Sequence, residues 1–202
     1  DGKSSARLVF ASSAQVYSLV NCKTPIRETK KASPDTVYGV SKQVAENLIR
    51  ISGIPFTILR LSNVYGPGCR PNYNSVVATM CYRAARGLPL VINGDGRQGR
   101  DFVYIEDVVR AFVLAGFESV AGSGKIFNVS SGKVVSVKQI VKQVCRLHKN
   151  TKVEFLTDKK NVEISYCCDP SKFFGKYSWR PRVSLSKGIE QALSYYRGRK
   201  IT

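Results

Sequence analysis

Short apolar segments alternate along this chain with amphipathic segments of helical periodicity, an arrangement typical of parallel β/α folds. The strands are expected at residues 8–11, 55–61, 90–92, 102–105, 126–129 and 153–156. The helices are expected near residues 34–52, 74–87, 107–117, 136–148 and 186–197. The sequence therefore predicts an α/β fold with a mainly parallel sheet.

Two of these helices have clear start signals. For the first, Ser33 is the expected N-cap, Pro34 the first helical residue and Gly53 the stop. For the helix near 136–148, Ser136 is the expected N-cap. Each helix has one apolar stripe. The stripes are Val37, Val40, Val44 and Leu48 in the first, and Val137, Ile140, Val141, Val144 and Leu147 in the second.

Composition and charge narrow the class of protein only partly. With 202 residues and 43% apolar residues the chain can bury a core, which excludes wholesale disorder. No apolar run reaches the roughly 18 residues of a membrane span, so no membrane partner is expected. The formal net charge is +18, and the excess is spread over both halves. Such a field attracts a nucleotide diphosphate as well as DNA or RNA, so charge does not separate these ligands.

The cysteines do not predict a metal site. None of the six belongs to a Cys-x-x-Cys pair, and His148 is the one histidine that could join them. Reduced thiols in an intracellular, cytoplasmic protein are the simplest interpretation. His148 lies near the end of a predicted helix and is expected at the surface or as a cap.

The segment Gly94–Gly99 matches the dinucleotide-binding pattern G-x-G-x-x-G. In that motif the glycines lead from a strand into a helix whose N-terminus faces the pyrophosphate. Here the following residues, 100–105, have a strand pattern, and Asp95 would place a negative charge near the phosphates. The segment is therefore predicted to be a glycine-rich turn.

Tyr38 and Lys42 are four residues apart and share one helix face. A phenol ordinarily titrates near pH 10, and a neighbouring cation stabilises the phenolate. Such a pair can take a hydroxyl proton while a hydride leaves the adjacent carbon. The spacing alone is weak, because Tyr196 and Lys200 repeat it.

Support for the Tyr38–Lys42 pair comes from Ser12 and Ser13, which directly follow a predicted buried strand. Ligands of parallel sheets gather beyond the carboxyl ends of the strands, so these hydroxyls are well placed for a substrate. Taken alone, the segment would be a serine-rich turn.

Several segments, in order, resemble the motifs of one family. They are SSAQVY at 12–17, SPDTVYGVSK at 33–42, RLSNVYGPG at 60–68, PLVINGDGRQGRDFVY at 89–104, IFNVSSG at 126–132, and DPSK at 169–172 with WRP at 179–181. Together they resemble the extended short-chain dehydrogenase/reductase family, specifically its NAD-dependent nucleotide-sugar epimerases and dehydratases. The resemblance implies a Rossmann-type parallel sheet with a smaller α+β substrate-binding lobe.

The resemblance also implies roles for individual residues. The implied catalytic residues are Ser13, Tyr38 and Lys42. The implied NAD contacts are Ser12, Tyr38, Lys42 and Leu61. The residues implied to bind a nucleotide-diphosphate sugar are Asn63, Val91, Arg100, Asn128 and Lys159. Family members commonly form dimers through two helices, and the helix carrying Val37–Leu48 is one candidate for that contact.

The chain also departs from the family pattern. The glycine-rich strand–turn–helix that opens the family is not found, so the chain resembles the C-terminal two thirds of such an enzyme and is expected to bind NAD poorly on its own. Residues 1–66 are expected to form the second half of the NAD-binding domain. Residues 67–202 are expected to form mainly the substrate lobe, with about 102–130 returning to the sheet. Lys159 stands where the dehydratases have an arginine and lacks its bidentate geometry for phosphate.

One further difference bears on the reaction. The family's 4,6-dehydratases have an Asp-Glu pair after the catalytic hydroxyl, whereas this chain has Ala14 and Gln15, neither of which titrates. That favours epimerisation through a transient 4-keto sugar over dehydration. Decarboxylation of a uronic sugar, a nucleic-acid-binding relative without catalytic activity and a non-functional fragment remain alternatives.

Overall fold

The computed structural model describes residues 7–20, 22–73, 75–117, 124–156 and 164–198. Its strands are β1 (Leu8–Ser13), β2 (Phe56–Leu61), β3 (Asn63–Tyr65), β4 (Leu90–Asn93), β5 (Gly99–Arg100), β6 (Phe102–Tyr104), β7 (Lys125–Val129), β8 (Val135–Ser136) and β9 (Val153–Leu156). Its helices are α1 (Val37–Ile51), α2 (Val76–Ala85), α3 (Ile105–Gly116), α4 (Val137–Leu147), α5 (Ser171–Tyr177) and α6 (Leu185–Arg197). One 3₁₀ turn, Ala14–Val16, follows β1.

The main sheet has three parallel strands in the order β1-β2-β7. Because side chains alternate between the faces of a strand, neighbouring residues of β2 meet different partners. Leu59 packs in a core with Val108, Ala111 and other residues of α3. Arg60, on the other face, bonds to α1. The two helices therefore cover opposite faces, and the predicted α/β class with a parallel sheet is confirmed.

A second core lies among α2, α4 and α6 and the short strands beside them. Its fully buried residues include Val77, Cys81, Leu90, Ile140, Val144, Ile189 and Ala192. Around this core β4 pairs with β9 in parallel, β3 pairs with β6 in parallel, and β5 pairs with β8 antiparallel. The result is a lobe with its own apolar interior beside the parallel sheet.

The predicted helices and strands all occur, with two kinds of difference. The N-cap of α1 is Thr36, whose hydroxyl accepts from the amide of Gly39, so the prediction of Ser33 as the cap was wrong. The helix does end where expected, since Gly53 follows its C-cap with a φ of 73°. The sequence patterns missed β3, β5, β8 and α5, because elements of two to seven residues are too short to show a period.

Other local predictions can be checked directly. Gly94–Gly99 forms a turn after β4 that continues into β5 and β6, not into a helix, which confirms that it is not a dinucleotide motif. His148 is the C-cap residue of α4, as expected. Within the described ranges no helix is long and apolar enough to cross a membrane.

Candidate active site

A cavity of 780 Å³ opens where β1 and β2 end, beside the first turns of α1. This is the edge at which open parallel sheets bind ligands. Its lining residues come from β1, α1, β2 and the lobe. They are Ala11, Ser12, Ser13, Gln15, Tyr38, Lys42, Leu61, Ser62, Asn63, Val64, Tyr73, Ser75, Val76, Gln98, Arg100, Phe102, Val135 and Val137.

Ser13 is the last residue of β1 and the N-cap of the 3₁₀ turn that follows. Its Oγ accepts a hydrogen bond from the backbone amide of Gln15 at 3.2 Å. Because an amide can only donate, the hydroxyl proton of Ser13 is left to donate elsewhere. Ser13 therefore presents a positioned donor to the cavity.

Helix α1 approaches the end of β1 very closely, and Gly39 permits this. A Cβ added at Gly39 would lie 2.2 Å from the backbone oxygen of Gln15 and 2.7 Å from the Cβ of Pro34. Real Cβ atoms do not tolerate such distances, so any larger residue would push the helix away. Gly39 immediately follows Tyr38 and thus sets how near Tyr38 comes to Ser13.

Tyr38 and Lys42 both line the cavity from α1. Tyr38 is 51% exposed, so it lies at the open cavity and is not packed in the core. The Nζ of Lys42 donates to the backbone oxygen of Ala11 at 3.0 Å and lies 5.7 Å from the centre of the Tyr38 ring. The lysine is thus tied to β1 while its charge stays beside the tyrosine.

Two predicted substrate contacts also line the cavity. The Nδ2 of Asn63 donates to the backbone oxygen of Asp101 and to the Tyr166 hydroxyl, each at 3.0 Å. Arg100 donates to the backbone oxygens of Gly99 and Ile164, and burial lowers its pKa. Arg100 lines the cavity, and within the described part of the chain it has no carboxylate partner.

Two predicted substrate-binding residues are not brought to the cavity. Asn128 is fully buried, where its Oδ1 accepts from Tyr17 and its Nδ2 donates to the oxygen of Ile26. Both ends of its side-chain amide are hydrogen-bonded within the interior. Val91 lies in β4 opposite Glu154 and does not line the cavity either.

Two further residues predicted to contact NAD, Leu61 and Ser12, also line the cavity. Leu61 lines the cavity from the end of β2. Ser12 lines it too, but its hydroxyl is buried and donates to the carboxylate of Glu46. The predicted contact Lys159 lies outside the described residues.

Sequence reasoning missed several lining residues, among them Tyr73, Ser75 and Gln98. Tyr73 and Ser75 follow the RLSNVYGPG segment, and Gln98 stands two residues before Arg100, so proximity to recognised motifs was a usable signal. Val135 and Val137 also stand close to a recognised segment, IFNVSSG, but their apolar side chains give no chemical reason to select them.

The lining of the cavity contains no carboxyl side chain among the described residues. At the positions after Ser13, Ala14 is buried and the Oε1 of Gln15 accepts from Thr36 at 3.0 Å. The phenol of Tyr166 near Asn63 is also unsuited to act as a base, since burial raises its pKa to about 12. The described residues of the site thus offer a phenol, an ammonium and a hydroxyl, but no carboxylic acid.

The model of the NAD dependent epimerase/dehydratase family matches residues 2–130, which is more than half of the chain. The chain belongs to this family. Three relatives show the range of its named activities. A dTDP-glucose 4,6-dehydratase of Haemophilus influenzae is 26% identical over 212 residues, covering 96% of this chain and 62% of the relative.

The other two are crystal structures of epimerases. A UDP-glucose 4-epimerase of Thermotoga maritima with UDP-glucose is 31% identical with a TM-score of 0.84, covering 96% of this chain and 64% of that one. A UDP-glucuronic acid 4-epimerase of Bacillus cereus with NAD is 28% identical with a TM-score of 0.82, covering 95% and 61%. The chain thus spans less than two thirds of each relative, and its fold is that of these epimerases.

Proposed function

We propose that this chain carries the catalytic residues and substrate lobe of an NAD-dependent nucleotide-sugar epimerase that acts through a transient 4-keto sugar. The observation that carries the proposal is the convergence of Ser13, Tyr38 and Lys42 on one cavity whose described lining residues include no carboxyl group. The similarity to two epimerases and a dehydratase supports the same class of reaction.

Each of the three residues has a role that follows from its position. Tyr38 takes the proton of the C4 hydroxyl, because its phenol reaches the cavity. Lys42 stabilises the phenolate by its charge, and its fixed position suits contact with a ribose. Ser13 donates its free hydroxyl proton to the oxygen at C4, which holds that oxygen in place as its charge changes.

The residues of the cavity fit the nicotinamide end of NAD. Tyr38 and Lys42 offer polar contacts and Leu61 an apolar wall. When bound, NAD supplies a hydride acceptor that returns the hydride to the other face of the sugar. A glycine-rich turn from a strand into a helix is not found in the described part of the chain, so we propose no pyrophosphate contacts.

The nucleotide diphosphate is proposed to bind at Asn63 and Arg100. Arg100 is a partly buried cation without a carboxylate partner in the described ranges, and it lines the same cavity as Tyr38. An arginine can bind a phosphate with two hydrogen bonds, which suits a diphosphate. The substrate would thus lie between the lobe and the sheet.

Epimerisation is favoured over dehydration because Ala14 and Gln15 cannot act as a general acid or a general base. Dehydration needs a group that protonates the leaving hydroxyl and one that removes a proton from carbon. Neither residue titrates, and no carboxyl of the described residues lines the cavity. The test is incubation of the full-length protein with NAD and UDP-glucose. A C4 epimer supports the proposal; a 4-keto-6-deoxy sugar would contradict it in favour of dehydration.

A homodimer is proposed through α1. Its apolar stripe does not face the sheet: Val37 is 90% exposed, and Val40, Val44, Leu48 and Ile51 are exposed as well. Monomeric proteins rarely expose a continuous apolar patch of this kind, so we propose that a second copy of the chain covers it.

The proposed domain division assigns residues 1–66 to the NAD-binding domain and most of residues 67–202 to the lobe.

The net charge of +18 supports one candidate of another class, a nucleic-acid-binding relative without catalytic activity. Titrations with RNA and with UDP-glucose over a range of salt concentrations separate the two. Salt-sensitive RNA binding without sugar-nucleotide binding would favour the nucleic-acid-binding candidate.

We also propose a cytoplasmic location, because the six cysteines are free thiols, as is usual in a reducing compartment.

A further inference from the structure

A row of buried polar residues crosses the main sheet beneath the cavity. Ser12, Arg60 and Asn128 are register partners on β1, β2 and β7. The hydroxyl of Tyr17 joins the last two, since it accepts from Arg60 Nη1 at 3.0 Å and donates to Asn128 Oδ1 at 2.8 Å. Each residue is less than a tenth exposed. The row thus links all three strands at the end where the cavity opens.

Glu46 of α1 accepts hydrogen bonds from two residues of this row, Ser12 and Arg60. Its Oε1 accepts from the Ser12 hydroxyl and from Arg60 Nε at 2.9 Å, and its Oε2 accepts from Arg60 Nη2 at 2.6 Å. Glu46 is only 2% exposed. A buried carboxylate is costly unless it is paired and hydrogen-bonded, and here the forked contact with Arg60 satisfies both conditions.

The position of Glu46 on α1 connects this network to the proposed catalytic pair. Tyr38, Lys42 and Glu46 are spaced by four residues, so they follow one face of the helix. Lys42 bonds to the oxygen of Ala11, and Glu46 bonds to Ser12, the next residue of β1. Lys42 and Glu46, one helical turn apart, thus bond α1 to Ala11 and Ser12, the two residues that precede Ser13.

Apolar packing contributes little to holding α1 in place. The buried residues of this helix are Gly39 and Glu46, while its apolar stripe is turned outward. Gly39 allows the close approach, but it has no side chain that could fix the angle or the height of the helix. Gln43 of α1 donates to the backbone oxygen of Ala32, and the N-cap Thr36 donates to Gln15, but Lys42 and Glu46 are the side chains that bond α1 to β1 itself.

We propose that Glu46 is a positioning residue: paired with Arg60, it fixes the height of α1 on the sheet and thereby the distance from Tyr38 and Lys42 to Ser13. This rests on the proposed function, because the residues it positions are the proposed catalytic ones. Glu46 itself does not line the cavity and touches no reacting atom.

The first test is Glu46→Gln in the full-length protein, with NAD and UDP-glucose. The amide keeps the shape of the carboxylate but loses the ion pair with Arg60. We expect kcat to fall about 100-fold, the size of effect seen when reacting groups are misplaced by about 1 Å. The KM for UDP-glucose stays near that of the parent, because Asn63 and Arg100 lie on other elements.

The matched control is Glu190→Gln, the same change at an exposed glutamate of α6 that pairs with Lys187. It leaves kcat unchanged. A Glu46→Gln variant with the parent's kcat would overturn the positioning role while leaving the proposed epimerase intact. An active Tyr38→Phe variant would instead remove the proposed function, so the two failures are distinguishable.

The second test separates positioning from stability alone. The double variant Glu46→Leu with Arg60→Met replaces the buried ion pair by apolar residues of similar size, which often restores stability. We expect its melting temperature to exceed that of Glu46→Leu alone, while kcat stays low. Recovery of kcat together with stability would overturn the proposal.

A third measurement applies even if the double variant fails to fold. Hydrogen exchange of the amides of residues 37–51 reports how firmly α1 is held. We expect faster exchange in Glu46→Gln than in Glu190→Gln at equal global stability. Equal exchange in α1 for both variants would contradict the inference.

Discussion

Helices α1 and α4 have similar apolar stripes in the sequence, but the fold uses them in opposite ways. In α4 the stripe faces inward, and Ile140, Val141 and Val144 are buried in the lobe core. In α1 the stripe faces outward, and the side turned to the sheet carries Gly39, Lys42 and Glu46. The comparison shows that amphipathic periodicity locates a helix without fixing which face is buried. A helix that bears a site can reserve its inner face for polar groups.

The largest difference between the two helices is expected in the free energy of unfolding when an inward residue of α4 is truncated. Ile140→Ala leaves a cavity in a core where Ile140 is fully buried, and we expect it to lower the free energy of unfolding by about 2–5 kcal/mol. Chemical denaturation measures this loss. The matched change on α1, Val44→Ala, is expected to cost far less in the monomer, because Val44 is exposed. Equal losses would show that the α1 stripe is packed in the same way.

The inward face of α1 is expected to control activity more than stability. Lys42→Met removes the cation beside Tyr38 but keeps much of the side chain's length. We expect turnover to fall by about 100-fold or more, within the range usual for groups that assist proton transfer. Thermal melting checks that the fold survives. A variant that melts like the parent and retains full turnover would contradict the role of Lys42.

The start of α4 gives a smaller effect. Ser136 and Gln139 form a capping box, in which Ser136 Oγ accepts from the Gln139 amide at 3.2 Å and Gln139 Oε1 accepts from the Ser136 amide at 2.8 Å. Ser136→Ala removes one side of it, and we expect a loss of about 1 kcal/mol in unfolding free energy. The corresponding change Thr36→Ala in α1 is expected to cost a similar amount and, because Thr36 also bonds Gln15, to reduce turnover. A Ser136→Ala variant as stable as the parent would refute this assignment.

The outward stripe of α1 gives the smallest effect on the folded monomer. Leu48 is 59% exposed, so Leu48→Glu should change monomer stability by less than about 0.5 kcal/mol. It should nevertheless weaken the proposed dimer, which analytical ultracentrifugation measures. The control Lys142→Glu introduces the same residue at an exposed position of α4 and should leave the oligomeric state unchanged. If Leu48→Glu sediments like the parent, α1 is not the dimer contact.

The two helices also show how far the sequence alone could go. For α4, the cap at Ser136, the buried stripe and the end at His148 followed from local pattern, because core packing and capping act together there. For α1, the period was correct but the N-cap was not, since the Thr36 hydroxyl serves both Gly39 and Gln15 across a tertiary contact. Short strands such as β5 and β8 depend on pairing between distant segments and leave no local period.

Some residues of the site could also be predicted from the sequence, whereas others required the tertiary structure. Ser13, Tyr38 and Lys42 could be found because they stand in ordered motifs, and the structure brings them to one cavity. Asn128 stands in such a motif too, but the motif does not tell whether its amide faces the cavity or the interior, and here the amide bonds to Ile26 in the interior. Glu46 was not singled out, since a glutamate on a helix is ordinarily a surface residue. Only the register of Ser12 with Arg60 makes its burial understandable.

The most direct test of the account is the turnover of Tyr38→Phe in the full-length protein, measured as conversion of UDP-glucose to its C4 epimer with NAD present. Tyr38 is half exposed, so the variant should fold like the parent. A matched control is Tyr82→Phe, which removes a phenol of α2 that does not line the cavity. We predict a fall in kcat of about 100-fold or more for Tyr38→Phe and none for the control. Parent-like epimerisation by Tyr38→Phe would contradict the assignment of Tyr38 as the base and, with it, the proposed mechanism.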